Sequence, residues 1–210
     1  MYEKFLAIDE GKRGRILNAS LKEFAGKGYE AASTNSIAKE ADISKGLLFH
    51  YFTSKKALYF YLFDYSVDRI MDEIRSSVNT SERDVFVKLR QLAGIKLAIM
   101  GDYPDLFRFL ESVYLETSPE VKAEMDERSK RLMMSEYGTM FGNVDKSKFR
   151  EGVDADRAMN VILWTLEGLG EQMRKRAAAV GAELDIPLLM EEFDRYMEML
   201  RLTMYKEETE

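Results

Sequence analysis

The sequence predicts an all-α fold of about nine helices, an N-terminal three-helix unit followed by a larger helical segment. Three observations lead there. Apolar residues recur at helical spacing in nearly every segment. No run of alternating β-branched residues reads as a strand. The 210 residues include only three prolines, which leaves long helices uninterrupted.

The helices follow in order. Ile16, Leu17, Leu21, Phe24 and Ala25 form one stripe of a helix over 9–27, and Gly26 and Gly28 are placed to end it in left-handed conformations. Ser33, Ser44 and Ser54 each stand immediately before a helix-like segment as N-caps, giving helices at 34–41, 45–51 and 55–77. Asn79 to Ser81 is turn-like and precedes a helix over 83–100. Gly101-Asp102-Tyr103-Pro104 stops that helix and starts one over 104–116, with Pro104 in its first turn. Ser118-Pro119-Glu120 repeats the start signal for 119–141. A loop rich in charge and glycine, 142–154, leads to 154–180, and 181–187 connects to 187–206. There Leu189, Phe193, Tyr196, Met197, Leu200 and Met204 share a face.

Composition excludes several kinds of chemistry. With no cysteine and a single histidine, the chain cannot build a disulfide framework, a thiolate zinc site, a cysteine nucleophile or a multi-histidine metal centre. It has no glycine-rich phosphate loop and no nucleophile elbow. A helical di-metal site would use Glu-x-x-His pairs, but Leu47 stands three residues before His50. No metal, no cofactor and no enzymatic activity are expected. The longest apolar run, Ala57 to Phe63, has seven residues, against roughly 20 for a membrane span. Met1 to Glu10 has no apolar signal core. A cytoplasmic protein without membrane contact is expected.

The net charge of −6 is unevenly distributed. Residues 1–60 hold ten basic and seven acidic side chains, a net of +3, so the rest of the chain carries −9. A basic N-terminal segment on an acidic body suggests two roles in one chain.

The segment 34–52 is the most informative. Two helices this short are unstable alone and must pack on a neighbour, and the first helix is available. Two short helices joined by a tight turn form a helix-turn-helix, whose second helix enters the DNA major groove and reads bases with its N-terminal residues. Those residues are Ser44, Lys45, Gly46 and Leu47, followed by His50. Gly46 costs helix stability, and its lack of a side chain permits close approach to a duplex. Ser33 and the Ser54-Lys55-Lys56 helix start suit phosphate, as does the Tyr51 hydroxyl. A plain helical corner is compatible with the same spacing, and so is a helical adaptor that binds a partner protein without sequence-specific DNA binding.

Lys12 to Leu58 resembles the TetR family of transcriptional regulators. The resemblance rests on Ile16-Leu17-Asn18-Ala19, Phe24, Gly28-Tyr29, Ile37-Ala38, Ala41, Ile43-Ser44, Gly46, Leu48, Phe52, Ser54-Lys55 and Leu58. It implies a ligand-responsive DNA-binding regulator, a repressor released from a palindromic operator by a small-molecule effector, and a homodimer with a four-helix interface at 154–180 and 187–206. The sequence departs from the family pattern in places. Phe49 stands where a tyrosine is usual, which removes one phosphate-contacting hydroxyl. Asp42 replaces a glycine of the turn, and Ala32 replaces a threonine.

In residues 55–210 the expected effector is apolar or amphipathic. Its expected lining is Val67, Ile70, Met71, Leu92, Ile95, Phe107, Leu110, Tyr114, Met133, Tyr137 and Trp164, with 13 methionines offering adaptable walls. The dimer interface is expected at Val161, Ile162, Thr165, Gly168, Leu169 and Met173 of one helix and Phe193, Tyr196, Met197 and Leu200 of the other. Periodicity alone fits these stripes equally to the core of a single chain.

Overall fold

The computed structural model describes residues 2–207, without the side chains of residues 133–135 and 137. Its helices are α1 (Glu3–Leu6), α2 (Glu10–Ala31), α3 (Thr34–Glu40), α4 (Lys45–Tyr51), α5 (Lys55–Ser77), α6 (Val85–Asp102), α7 (Pro104–Tyr114), α8 (Lys122–Phe141), α9 (Ala155–Ala179) and α10 (Ile186–Met204), with a 3-10 turn at Lys146–Lys148. No strand occurs among the described residues, only one bridge between Phe149 and Tyr205. No helix among them is long and apolar enough to cross a membrane. The chain divides into two compact units, Met1–Thr80 with Gln91–Gly142, and Ser81–Arg90 with Asn143–Glu210.

The first unit is built on aromatic residues. Phe5, Phe24, Phe52, Tyr59 and Phe109 are fully buried. Tyr59 meets Phe24 edge-on at 5.0 Å and Phe109 at 5.4 Å, and Phe5 lies 4.7 Å from Phe52. The three short N-terminal helices therefore share one core with α5 and α7. A second cluster gathers Ile70, Met71 and Ile74 of α5, Leu92 and Ile99 of α6 and Leu106 of α7. The helix α1 was not expected from the sequence. At four residues it is too short to show a stripe, and burial of Phe5 is what holds it. Of the two glycines expected to end the helix at 27, Gly28 breaks it, with φ at 69°, and the chain coils on past this kink to Ala31. The helix predicted from 119 begins at Lys122.

The second unit pairs α9 with α10. Ala158, Met159, Ile162, Leu169 and Met173 of α9 and Met197 and Leu200 of α10 are buried. The chain after α10 closes it. Tyr205 meets Phe86 at 4.9 Å and Phe149 at 5.0 Å, both edge-on, and its hydroxyl accepts a hydrogen bond from the Val85 amide at 3.3 Å. The Arg150 guanidinium donates to the Tyr205 carbonyl at 2.6 Å. Burial, with the Asp84 charge nearby, pushes the Tyr205 phenol up to about 12. Tyr205→Ala is expected to destabilise this unit by about 3–5 kcal/mol, the usual cost of truncating a buried aromatic. A urea unfolding curve followed by near-ultraviolet dichroism measures it.

Candidate nucleic-acid interface

The interface is carried by α2, α3 and α4. The helix α3 buries Ile37 and Ala38, with Ala41 at its C-cap. The turn that follows depends on Asp42, the one described non-glycine residue with positive φ (53°). There the Ile43 amide donates to the Ala38 carbonyl at 3.0 Å and the Asp42 amide to the Lys39 carbonyl at 3.2 Å. This pairing closes a helix with a left-handed residue. Aspartate tolerates that conformation better than most residues, so the turn forms without the glycine. The turn delivers Ser44, whose hydroxyl accepts from the Leu47 amide at 3.1 Å and caps α4.

The helix α4 is anchored by one side only. Leu48 and the Phe52 C-cap are buried, and Tyr51 is half-buried with its ring 5.7 Å from Phe5. Ser44, Lys45, Gly46 and His50 are exposed, and Leu47 and Phe49 are half-exposed. The exposed residues lie in the first turn and one turn further on, the part of a second helix that can reach base edges. The Lys45 ammonium stands 5.9 Å from the Phe49 ring and has no ion-pair partner among the described residues. Gly46 has ordinary helical backbone, and a Cβ added there would meet only the Ser44 hydroxyl, at 4.0 Å. The fold itself therefore does not require glycine at this position.

Ser33 caps α3, its hydroxyl accepting from the Ser36 amide at 3.4 Å. Its own amide donates to Glu23 Oε1 at 2.8 Å, and Lys27 donates to the same oxygen at 2.8 Å. Burial raises the Glu23 carboxyl, but the bonds from Lys27 and the Ser33 amide outweigh it and hold it below its usual range. A depressed carboxylate stabilises the fold above the ordinary carboxylate range, and that contribution is lost as pH falls through the folded value. Glu23→Gln is therefore expected to cost about 1–2 kcal/mol at neutral pH. The gap to wild type should close as the solution is acidified through the carboxylate range, measured by paired thermal melts.

Lys55 is placed differently from a solvent-facing phosphate clamp. Its ammonium donates to the Glu30 carbonyl at 3.0 Å and lies 4.8 Å from the Tyr29 ring, so it ties the start of α5 to the end of α2. The neighbouring Lys56 ammonium lies 5.5 Å from the Phe60 ring. Sequence spacing could not separate these two lysines, because a bond to a carbonyl 25 residues away leaves no local signature.

The expected effector residues divide. Ile70, Met71 and Leu92 belong to the second cluster of the first unit, and Val67, Ile95, Phe107 and Leu110 pack against it. Tyr114 is 41% exposed. Trp164 belongs to the second unit and is 66% exposed. The side chains of Met133 and Tyr137 lie outside the described residues. At the rim of the cluster Arg69 stacks on Tyr103 at 5.0 Å and pairs with Glu73 at 3.0 Å. Among the expected interface residues, Ile162, Leu169, Met173, Met197 and Leu200 are buried within the chain. Val161 and Gly168 are exposed, and Thr165, Phe193 and Tyr196 are half-buried. Leu188, Met199 and Leu202 of α10 are exposed as well. Periodicity marks the position of a stripe and does not tell which of its edges stays uncovered. Among the described residues no group of three His, Cys, Asp or Glu is arranged to hold a metal ion.

A short helix exposed over its first turn, braced by two others through a left-handed turn, defines a helix-turn-helix protein. Residues 16–62 match the family described as bacterial regulatory proteins, tetR family. The transcriptional activator FasR of Mycolicibacterium smegmatis is 34% identical over 70 residues, which take in 33% of this chain and about a third (32%) of that relative's length. The fatty acid metabolism regulator protein of Bacillus subtilis is 20% identical over 157 residues, 73% of this chain and 78% of its own. The solved structure of the fatty acid degradation regulator FadR from Bacillus halodurans superposes with a TM-score of 0.65 at 23% identity, covering 90% of this chain and 97% of that one. At that identity the likeness extends the shared fold, and only the fold, beyond the N-terminal segment.

Proposed function

We propose that the chain is a cytoplasmic, homodimeric, ligand-responsive regulator of transcription that binds a palindromic operator, and that effector binding releases it. Residues 1–54 are the DNA-binding domain and residues 55–210 sense the effector and dimerise. The observation that carries the reading is the exposed first turn of α4, where Lys45 and Gly46 face outward from a helix that Leu48 and Phe52 fix from behind. Ser44, Lys45, Gly46, Leu47 and His50 read bases, Ser33 and Tyr51 set the register on phosphates, and Phe49 packs beside them. Lys55 acts chiefly by bracing the head from within.

The effector is apolar or amphipathic and lodges at the cluster of Val67, Ile70, Met71, Leu92, Phe107 and Leu110. Two of the similar proteins are regulators named for fatty acid metabolism and fatty acid degradation, which supports an acyl compound. Dimerisation uses the exposed edge of the α9 and α10 stripes, with Val161, Trp164, Thr165 and Gly168 at helical spacing on α9 and Leu188, Met199 and Leu202 on α10. Two heads in a dimer must sit about one helical turn of DNA apart, roughly 34–36 Å.

Lys45→Ala tests the reading. It is expected to cost about 1–3 kcal/mol of specific binding and to relax sequence preference, with non-specific affinity for an unrelated duplex little changed. An equal loss on every duplex would remove Lys45 from the base-reading role.

A further inference from the structure

One buried carboxylate holds the turn between α7 and α8. Glu116 is 8% exposed. Its Oε1 accepts from the amides of Thr117 at 2.9 Å and Ser118 at 2.8 Å, fixing its own turn. Its Oε2 accepts from the Tyr29 amide at 2.7 Å, across 87 residues of sequence. Two bonds flank this link. The Tyr29 hydroxyl donates to Glu120 at 2.6 Å, and the Ser118 hydroxyl donates to Glu30 at 2.7 Å. Gly28 sets the turn that presents the Tyr29 amide, with φ at 69°, a conformation side-chain-bearing residues rarely adopt. With Lys55 bound to the Glu30 carbonyl, the end of α2, the start of α5 and the α7–α8 turn all meet at Tyr29–Glu30.

The helix α7 connects this clasp to the proposed effector cluster. Leu106 belongs to that cluster, and Phe109 and Val113, one and two turns on, belong to the core of the reading head. Glu116 follows directly. Charge-assisted bonds to backbone amides are strong and geometrically narrow. A carboxylate that already serves two amides of its own turn cannot follow Tyr29 if α7 shifts, so a small displacement of the helix breaks the link instead of stretching it.

We infer that Glu116 is a positioning residue, which transmits the placement of α7 to the DNA-reading head by clamping the Gly28–Tyr29 turn from which Ser33 and α3 start. The inference rests on the regulator reading for its consequence, but the clasp can be measured without DNA.

The test compares the full chain with Glu116→Gln by amide hydrogen exchange. Glutamine offers one oxygen in place of two, so one set of bonds must be lost. Exchange over residues 29–36 is expected to rise about tenfold while α9 and α10 are unchanged. Leu106→Ala, which loosens α7 from the effector-cluster side, should raise the same exchange alone and add nothing on top of Glu116→Gln. Specific binding to the DNA upstream of the chain's own gene should weaken about tenfold, while low-salt binding to an unrelated duplex persists. Unchanged exchange over 29–36, a uniform rise across residues 2–80, or additive effects of the two substitutions would each overturn the proposal. If Glu116→Gln does not fold, Ser118→Ala probes the same segment: a rise of a few-fold supports the clasp and no change overturns it. If the wild-type chain binds no fragment, the regulator reading falls and the exchange result alone decides the clasp.

Discussion

Gly46→Glu is expected to lower specific DNA affinity at least ~100-fold while leaving the melting midpoint no lower than wild type. The two halves of this expectation come from the same position. A helical glycine costs about 1 kcal/mol relative to alanine. Nothing within the chain recovers that cost, because a side chain at position 46 would meet only the Ser44 hydroxyl at 4.0 Å. The chain thus retains an unfavourable residue on an exposed face of α4 with no internal steric reason. The proposed reason is external: a duplex that must come close to the backbone. Glutamate would fill that space and place a carboxylate against phosphates. Gly46→Ala should separate the effects further, raising stability by up to about 1 kcal/mol while weakening binding less than the glutamate does. Fluorescence anisotropy on labelled DNA, with a thermal melt of each variant, checks both. Wild-type affinity in Gly46→Glu would mean that α4 does not face the duplex.

Trp164→Glu is expected to convert a dimer to a monomer at micromolar concentration and, with it, to reduce specific DNA binding by ~100-fold or more. Trp164 is the only tryptophan and is 66% exposed in the single chain. Covering an aromatic side chain of this size contributes about 2 kcal/mol per copy, and a two-fold interface counts it twice. Removing it together with an added pair of facing charges exceeds what a moderate dimer can absorb. The fold of each chain should survive, because the side chain supports no internal contact of that size. Sedimentation velocity reads the result directly. A dimer that persists would move the interface away from the outer edge of α9.

The contrast between Trp164 and Ile162 shows how far the sequence was readable. The α9 stripe was visible, but a stripe wide enough for two neighbours looks the same whether one or both belong to the same chain. Ile162 faces the intrachain seam, and Trp164 does not. Local signals served well where the physics is local. Ser44 and Ser54 mark the starts of α4 and α5 because a hydroxyl satisfies amides that every helix start leaves open. The turn forms although Asp42 replaces the usual glycine, because aspartate accepts left-handed backbone better than most residues. Signals failed where the cause lies far along the chain. The helix α1 exists because Phe5 is buried against Phe52. Lys55 turns inward to a carbonyl of α2. Glu116, one of 37 acidic residues, is distinguished from the rest only by the tertiary contact with Tyr29. Even the net charge of −6 averages a positive head and a negative body. That arrangement favours docking by the head, since the remainder repels the duplex.

Sequence-specific DNA binding by the α4 face is tested most directly by titrating the 210-residue chain against labelled DNA from upstream of its own gene. The account predicts saturable binding of one dimer to a palindromic site. It predicts an affinity that falls steeply with added salt and exceeds that for an unrelated duplex by ~10³-fold or more. Equal affinity for every duplex, or no binding at low salt to any fragment of the genome, would contradict it.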